Sequence, residues 1–450
     1  MTTPHGTAAD AIPLAWGLPF AGLLLSIAIL PLVARHWWER RFWAVAAAWA
    51  LLFVVPYGLW RGSAAVGTAV LDTAAHEYLP FIILLLTLFV VAGGIRVAGN
   101  IIGTPRTNLV ILGFGTVAAS LLGTTGASML LIRPLIRANQ DRRHKTHVFV
   151  FFIFLVGNIG GSLTPLGDPP LFLGFLRGIG FGWTLGAMAA PMGLSSVLLL
   201  ALFHGLDRWH WRREPVLPPS HLPRRVSVEG WGNVALLGAV VGAVLTSGLW
   251  RSGQVLALGL GVTIAYEDML RDMLLLAVAV LSYWRTPARI RIENAFTWTP
   301  IQEVAVLFGS IFITIVPVLE ALREGPAGPF GPLLHLVDRP DGTPIVANYF
   351  WLSGALSSVL DNAPTYLVFF DMAGGDPARL MGEGSATLLA ISCGAVFMGA
   401  NTYLGNAPNF MVRAICEEQD IRMPGFFAYL VWSGAILLPL FGFLTLVFFR

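Results

Sequence analysis

The amino-acid sequence predicts an all-α polytopic membrane protein with about ten transmembrane helices and two re-entrant hairpins, built from two inverted-topology repeats with broken helices. Three features predict this fold: the apolar composition, the distribution of arginine, and an internal repeat. The 450 residues are 56% hydrophobic and only 12% charged, with a mean hydropathy of +0.73. A soluble fold cannot bury that much apolar surface, so most of the chain is expected to lie in lipid.

Long apolar segments recur along the chain. Roughly twenty apolar residues cross a bilayer core of about 30 Å. Segments of that length occupy residues 13–34, 42–60, 78–96, 184–206, 231–250, 300–322 and 425–449. A further segment, 254–284, is interrupted by four charged residues between Glu267 and Asp272, so we expect its span to be shifted by several residues.

The basic residues are divided unevenly between alternate loops. Nineteen of the 28 fall in loops after the first, third, fifth, seventh and ninth spans, and seven fall in the opposite loops and at the C-terminus. Because cytoplasmic loops are enriched in Lys and Arg, this split predicts that both termini lie outside a bacterial-type inner membrane. The net charge is only +3 and the arginines are scattered, so no nucleic-acid partner is expected.

An internal repeat relates two pairs of irregular polar segments. The first half contains segments 123–128 and 157–170, and the second half contains segments 361–365 and 399–409. Thr124 precedes Gly167 by 43 positions, Asn362 precedes Gly405 by 43 positions, and one offset of 238 superposes both pairs. Matched irregular segments of this kind indicate duplicated halves.

The repeat sets the domain organisation. We expect a first repeat over residues 1–206, a cytoplasmic linker rich in Pro, Arg and Trp over 207–230, and a second repeat over 231–450. Each half has five full spans, an odd number, so the second half must be inverted relative to the first, as in secondary transporters. The hairpin around residues 123–128 then opens from the cytoplasm and the hairpin around 361–365 from outside, with their tips meeting near the midplane.

The four irregular segments are the candidate site. Unwound backbone in hydrocarbon survives only where protein, water or an ion satisfies its polar groups, so the breaks predict an ion site. The candidate ion- and proton-binding residues are Asp168, Asp361, Asn158, Thr164, Asn362, Asn401, Thr402 and Asn406. The hairpin tips carry Thr124, Thr125, Ser128 and Thr365, and the helix breaks carry Gly160, Gly161, Gly167, Pro169, Gly405 and Pro408.

Each acidic candidate also has a structural interpretation. Asp168 could cap the half-helix that begins at Pro169, although a carboxylate at membrane depth usually has a function. Asp361 could bond to its own turn, as Asp commonly does before Asn and Pro. Glu303 is explained by a capping box that begins at Thr299.

The segments 157–172, 361–365 and 399–409 resemble those of the ion transporter superfamily, which includes sodium/proton antiporters, arsenite efflux pumps and divalent-anion/sodium symporters with a citrate-transporter-like domain. The most specific part is the Gly-x-x-Pro element, present at Gly167 and again at Gly405. The resemblance covers nearly the whole chain. It implies two sodium-binding clamshells formed by hairpin tips and broken helices, usually in a homodimer with elevator motion.

The hairpin tips depart from the dicarboxylate branch, which has Ser-Asn-Thr at both tips. Here the tips read Thr124-Thr125-Gly126 and Asn362-Ala363-Pro364, with Asp361 adjacent. Since a carboxylate beside the site repels an anionic substrate, we expect sodium/proton antiport, with Na⁺ and H⁺ as transported ions and no cofactor. The alternative is a sodium-coupled symporter of citrate or another dicarboxylate on the same scaffold.

Two further functions fit the sequence poorly. An intramembrane aspartyl protease would need a Gly-x-Gly-Asp signature ending at Asp168, but Pro165 stands at its first position. ATP-driven transport needs a lysine in a Gly-rich loop, whereas the only lysine is Lys145 and its loop has no such motif. We therefore expect no enzymatic activity.

Overall fold

A computed structural model describes residues 13–214 and 224–450, and it is almost entirely helical. In the first half the helices are α1 (Leu18–Val33), α2 (Arg35–Arg61), α3 (Ser63–Thr73), α4 (Leu79–Gly93), α5 (Pro105–Leu122), α6 (Thr124–Ala138), α7 (Thr146–Leu155), α8 (Pro169–Leu176) and α9 (Phe181–Trp211). A π-helical turn, Ala74–Tyr78, joins α3 to α4 without a break.

The second half has the same alternation of long helices and interruptions. Its helices are α10 (Trp231–Leu249), α11 (Tyr266–Arg285), α12 (Ala288–Glu293), α13 (Thr299–Arg323), α14 (Gly331–Leu334), α15 (Val346–Val359), α16 (Asn362–Met372), α17 (Pro377–Met381), α18 (Ser385–Phe397), α19 (Ala407–Glu418) and α20 (Phe426–Phe448). Two small antiparallel sheets pair β1 (Arg96–Asn100) with β2 (Arg224–Glu229), and β3 (Val255–Gly259) with β4 (Val262–Ala265).

In the part of the chain that the structure describes, nine helical stretches are long and apolar enough to cross a membrane. They confirm the prediction of an all-α polytopic membrane protein. One of the nine is α5, which forms an arm of the first predicted hairpin and packs against α6. Helix α11 and the broken unit α18–α19 fall outside this set, so the prediction of ten spans plus two hairpins remains compatible with the helices observed.

Of two local predictions about where helices start, the shifted span in segment 254–284 is confirmed and the capping box before Glu303 is wrong. Segment 254–284 begins with the β3–β4 hairpin, and its helix starts only at Tyr266. The charged residues lie in the first turns of α11, where Arg271 pairs with Asp268 and Asp272. No capping box precedes Glu303: α13 begins at Thr299 after an N-cap at Trp298 that makes no side-chain cap bond.

Parts of the predicted linker, residues 207–230, have regular secondary structure. Helix α9 continues to Trp211, and Arg224–Glu229 forms β2 against β1. The remaining part of this prediction, residues 215–223, lies outside the described residues, as do residues 1–12 of the predicted first repeat.

Two large hydrophobic cores organise most of the helices, and a third, small cluster contains Trp38, Ala46 and Leu307. The first core is formed mainly by α5, α6, α7, α9, α15, α18 and α20, and it includes the fully buried run Val148–Val156. The second core is formed mainly by α1, α4, α10, α11 and α13, and it includes Phe81 and Phe308. Helices α8 and α16 contribute side chains to both cores. These two short helices therefore lie at the boundary between the cores.

Candidate ion-binding site

The two broken helices have matching backbone geometry at their interruptions. After α7, a 3-10 turn (Ile159–Leu163) leads through extended residues to α8; after α18, a 3-10 turn (Met398–Asn401) leads to α19. Thr164 has φ −135° and ψ 160°, and its counterpart 238 positions later, Thr402, has φ −134° and ψ 168°. The Pro residues in the first turns of α8 and α19 need no N–H partner.

The hydrogen bonds that hold these breaks also recur at the offset of 238. Thr164 Oγ1 donates to the Ser120 carbonyl, and Thr402 Oγ1 donates to the Ser358 carbonyl at 2.6 Å. Ser120 Oγ in turn donates to the Gly160 carbonyl at 2.5 Å, as Ser358 Oγ does to the Met398 carbonyl at 3.0 Å. Each serine lies on the arm of a hairpin, so these bonds fix each hairpin to its broken helix.

Glycine is required where the chain passes itself in each break. A Cβ on Gly167 would lie 2.0 Å from the Gly161 carbonyl oxygen, and a Cβ on Gly405 would lie 2.5 Å from the Gly399 carbonyl oxygen. Both contacts involve backbone atoms, which cannot rotate away as a side chain can. The Gly-x-x-Pro elements thus combine a close backbone crossing with the start of a half-helix.

Asp168 is the centre of the polar cluster between the breaks. Its side chain is buried, with 2% of its surface exposed. Thr124 Oγ1 donates to Asp168 Oδ1 at 3.0 Å, Asn406 Nδ2 donates to the same oxygen at 3.2 Å, and Asn362 Nδ2 donates to Oδ2. Because Thr124 and Asn362 are offset counterparts, as are Asp168 and Asn406, the two halves meet at this carboxylate.

A second set of amides joins the breaks behind Asp168. Asn158 Nδ2 donates to Asn409 Oδ1 at 2.7 Å, and Asn158 Oδ1 lies 3.3 Å from Asn406 Nδ2. Asn409 Nδ2 donates to the carbonyls of Gly399 and Thr402, both at 2.8 Å. These buried amides supply the partners that the unwound backbone would otherwise lack.

The other predicted site residues take different positions. Thr164 and Thr402 bond to the carbonyls of the hairpin-arm serines, as described above. Asn401 Nδ2 donates to Ser358 Oγ at 2.9 Å. Asp361 is the N-cap of α16 and accepts from the Ala363 N–H at 3.1 Å, which is the turn bond considered for it. Asp168 occupies the N-cap position of α8 but makes no cap bond, so the capping interpretation is not what the structure shows.

Of the hairpin-tip residues, some contact Asp168 and others bond only within their own hairpin. Thr124 contacts Asp168, whereas Thr365 Oγ1 donates to the Asp361 carbonyl at 3.0 Å. The hydroxyl of Ser128 and the carboxamide oxygens of Asn362 and Asn401 are buried and find no hydrogen-bond partner within residues 13–214 and 224–450. Unpaired oxygens are rare in buried positions, and that of Asn362 belongs to a residue that already contacts Asp168.

Three residues that support the site were missed by the sequence interpretation. Ser120 and Ser358 are identical residues at the offset of 238, so comparing the halves position by position would have found them. Asn409 ends the second-half segment, but its partner across the halves is Asn158. That contact depends on how the halves pack, and the sequence carries no direct sign of it.

The electrostatics of the cluster are simple. Among the described residues, the hydrogen-bond donors around Asp168 are a hydroxyl and two carboxamides, and no Arg or Lys forms an ion pair with it. A buried carboxylate without a counter-charge is costly. Its charge can be neutralised by a proton or by a small bound cation.

The chain matches one known protein family over nearly its whole length. Residues 9–449 match the model of a family whose description reads "Putative citrate transport". The chain belongs to this family. None of the curated proteins compared with the chain matches it. Membership in a citrate-transporter-like ion transporter family makes the chain a secondary transporter and implies that it is not an enzyme.

Proposed function

We propose that this member of the citrate-transporter-like family is a sodium/proton antiporter in which Asp168 binds Na⁺ and H⁺ in turn. The observation that carries the proposal is the burial of Asp168 among three uncharged donors supplied by both hairpins and the opposite break. Because that carboxylate has no fixed counter-charge in the part of the chain that the structure describes, we expect its negative charge to be balanced by what it binds.

Several oxygen atoms that could bind a cation lie around Asp168. The carboxylate of Asp168 and the hydroxyl of Thr124 are hard oxygen ligands of the kind that alkali cations prefer. A half-turn of the Asn362 carboxamide would replace its N–H donor with the oxygen that now has no partner. Na⁺ would take these oxygens, whereas a proton needs only one carboxylate oxygen, so the two ions compete for one group.

The direct test compares Asp168→Asn with the wild type in proteoliposomes that contain a pH-sensitive dye. The amide keeps a similar shape and one oxygen but cannot bind a proton. We expect Na⁺-driven proton flux to be lost in Asp168→Asn and retained in the matched control Asp376→Asn, since Asp376 caps α17 in an exposed loop. Undiminished sodium-coupled proton flux in Asp168→Asn would contradict the proposal.

The second candidate function is sodium-coupled symport of citrate or a related dicarboxylate, which the description of the matching family favours. An ionised Asp168 opposes it, because two unit negative charges 4 Å apart repel by roughly 4 kcal/mol at a protein-like dielectric. Uptake of radiolabelled citrate that depends on Na⁺ and produces no proton counterflow would support this candidate over antiport.

A further inference from the structure

Helices α8 and α16 are tied together at both of their ends. At their N-terminal ends, Asn362 donates a hydrogen bond to Asp168. At their C-terminal ends, Arg177 Nη1 donates to Asp371 Oδ2 at 3.2 Å. Arg177 follows Asp168 by nine residues, and Asp371 follows Asn362 by nine residues. The ion pair therefore lies one helix length from the site and sets how the two helices lie against each other.

Two residues outside α8 and α16 form hydrogen bonds with the same ion pair. Arg177 Nη2 donates to Glu77 Oε1 at 2.6 Å, and Arg323 Nε donates to Asp371 Oδ1 at 3.0 Å. Glu77 lies in the π-helical turn before α4, and Arg323 is the last residue of α13. Positive and negative groups thus alternate through four side chains in the order Glu77, Arg177, Asp371 and Arg323.

The network combines a buried carboxylate with partners of different exposure, since the side chain of Arg323 is 54% exposed. The side chain of Asp371 is only 1% exposed and that of Arg177 is 16% exposed. Exposed ion pairs contribute little, but a buried carboxylate depends on its partners for its solvation. Asp371 has two such partners, one beside it on α8 and one on α13.

The four residues belong to different parts of the molecule. Helices α4 and α13 are built into the second core. Helix α8 follows α7 through the break and α16 follows α15, and both α7 and α15 belong to the first core, although α8 and α16 themselves contribute side chains to both cores. The contacts of Glu77 and Arg323 with the ion pair therefore add polar links across the boundary between the cores, whereas the Arg177–Asp371 contact joins the two boundary helices themselves.

We propose that Arg177 and Asp371 are positioning residues for the Asp168 site, and that Glu77 and Arg323 anchor this pair to the second core and release it during the transport cycle. The inference rests on the proposed transport function, because a transporter must change which side of the membrane its site faces. The two pairs have different roles. Loss of Glu77 or Arg323 changes how the two cores lie relative to each other, whereas loss of the Arg177–Asp371 pair changes the affinity of the site for Na⁺.

The first measurement is a distance between spin labels, which requires no transport. Labels are placed at Ser63→Cys, at the start of α3, which packs against α13, and at Ala378→Cys in α17, which follows α16. The buried Cys393 and Cys416 are first replaced by Ala. We expect one distance in the parent and a second population in Glu77→Gln and in Arg323→Gln. The matched control is Glu417→Gln, which removes an ion pair contained within α19, and it should keep the parent distance.

The second measurement is the NaCl concentration that half-maximally raises the melting temperature, with choline chloride as reference. We expect about a tenfold increase in Asp371→Asn, the usual effect of losing a group that orients a ligand, near-parent values in Arg177→Lys, and unchanged values in Glu77→Gln. An unchanged distance distribution in both anchor variants, or an unchanged Na⁺ response in Asp371→Asn, would overturn the inference. Failure of Na⁺ to shift the wild-type melting temperature would instead contradict the proposed function. The distance measurement would then still show whether Glu77 and Arg323 anchor the ion pair to the second core.

Discussion

At the scale of single residues, the site depends on contacts between counterparts in the two halves. The offset of 238 aligns Asp168 with Asn406, and the structure places the amide of Asn406 3.2 Å from the carboxylate of Asp168. One half thus supplies the charge and the other supplies a neutral donor at the same position. The sequence predicts which residues are equivalent, but the contact arises only from the packing of the halves.

Asn409 provides a prediction at this scale, because it bonds to Asn158 and to two carbonyls of the second break. Asn409→Ala leaves those two buried carbonyls without a donor, which costs roughly 1–3 kcal/mol for each unpaired group. We expect a clearly lower melting temperature in detergent. The control is Asn348→Ala, which removes one side-chain hydrogen bond to a backbone carbonyl at an exposed position. This variant should have the melting temperature of the wild type. Equal melting temperatures would mean that Asn409 does not hold the break.

At the scale of elements, the breaks could be predicted and the small sheets could not. Gly, Pro and polar residues mark the interruptions because unwound backbone needs close approach and hydrogen-bond partners. Val255–Gly259 is an apolar run next to a membrane helix, and all five of its residues are exposed strand residues in β3. An apolar run that short does not distinguish strand from helix. The pairing of β1 with β2 joins segments more than a hundred residues apart, which local patterns do not encode.

The backbone crossing in the first break gives a prediction for Gly167→Ala. The added Cβ would lie 2.0 Å from the Gly161 carbonyl oxygen, so the break must shift, at a cost on the order of 3 kcal/mol. We expect a large fall in melting temperature together with loss of ion exchange. Gly186→Ala is the matched control in α9, where nothing lies within 4 Å of an added Cβ. Normal stability of Gly167→Ala would show that the two segments can separate without cost.

At the scale of the whole molecule, the arrangement in the membrane follows from charge. The inverted halves remain a prediction of the odd number of spans in each half, and the outward termini remain a prediction of the arginine distribution. The residues of the Glu77–Arg177–Asp371–Arg323 network belong to the face that the arginine distribution predicts to be outer. The same distribution predicts that the β1–β2 sheet lies at the cytoplasmic face.

The orientation can be tested by labelling single cysteines in cells with a membrane-impermeant maleimide. Val226→Cys in β2 is exposed and should react only after the cytoplasmic side is opened to the reagent, because its loop carries many of the arginines. Ser63→Cys, at the start of α3, should react in intact cells. The reverse labelling of this pair would invert the predicted topology.

The central claim is that Na⁺ and H⁺ compete for Asp168, and the most direct test is the apparent KM for Na⁺ as a function of pH. In proteoliposomes with equal pH on both sides before each measurement, a lower pH should raise the apparent KM, by at most about tenfold per pH unit when one proton competes with one ion. The rate at saturating Na⁺ should change much less, because excess Na⁺ displaces the proton. An apparent KM that stays constant across the active pH range would contradict competition at one carboxylate and would favour the symport of an organic anion.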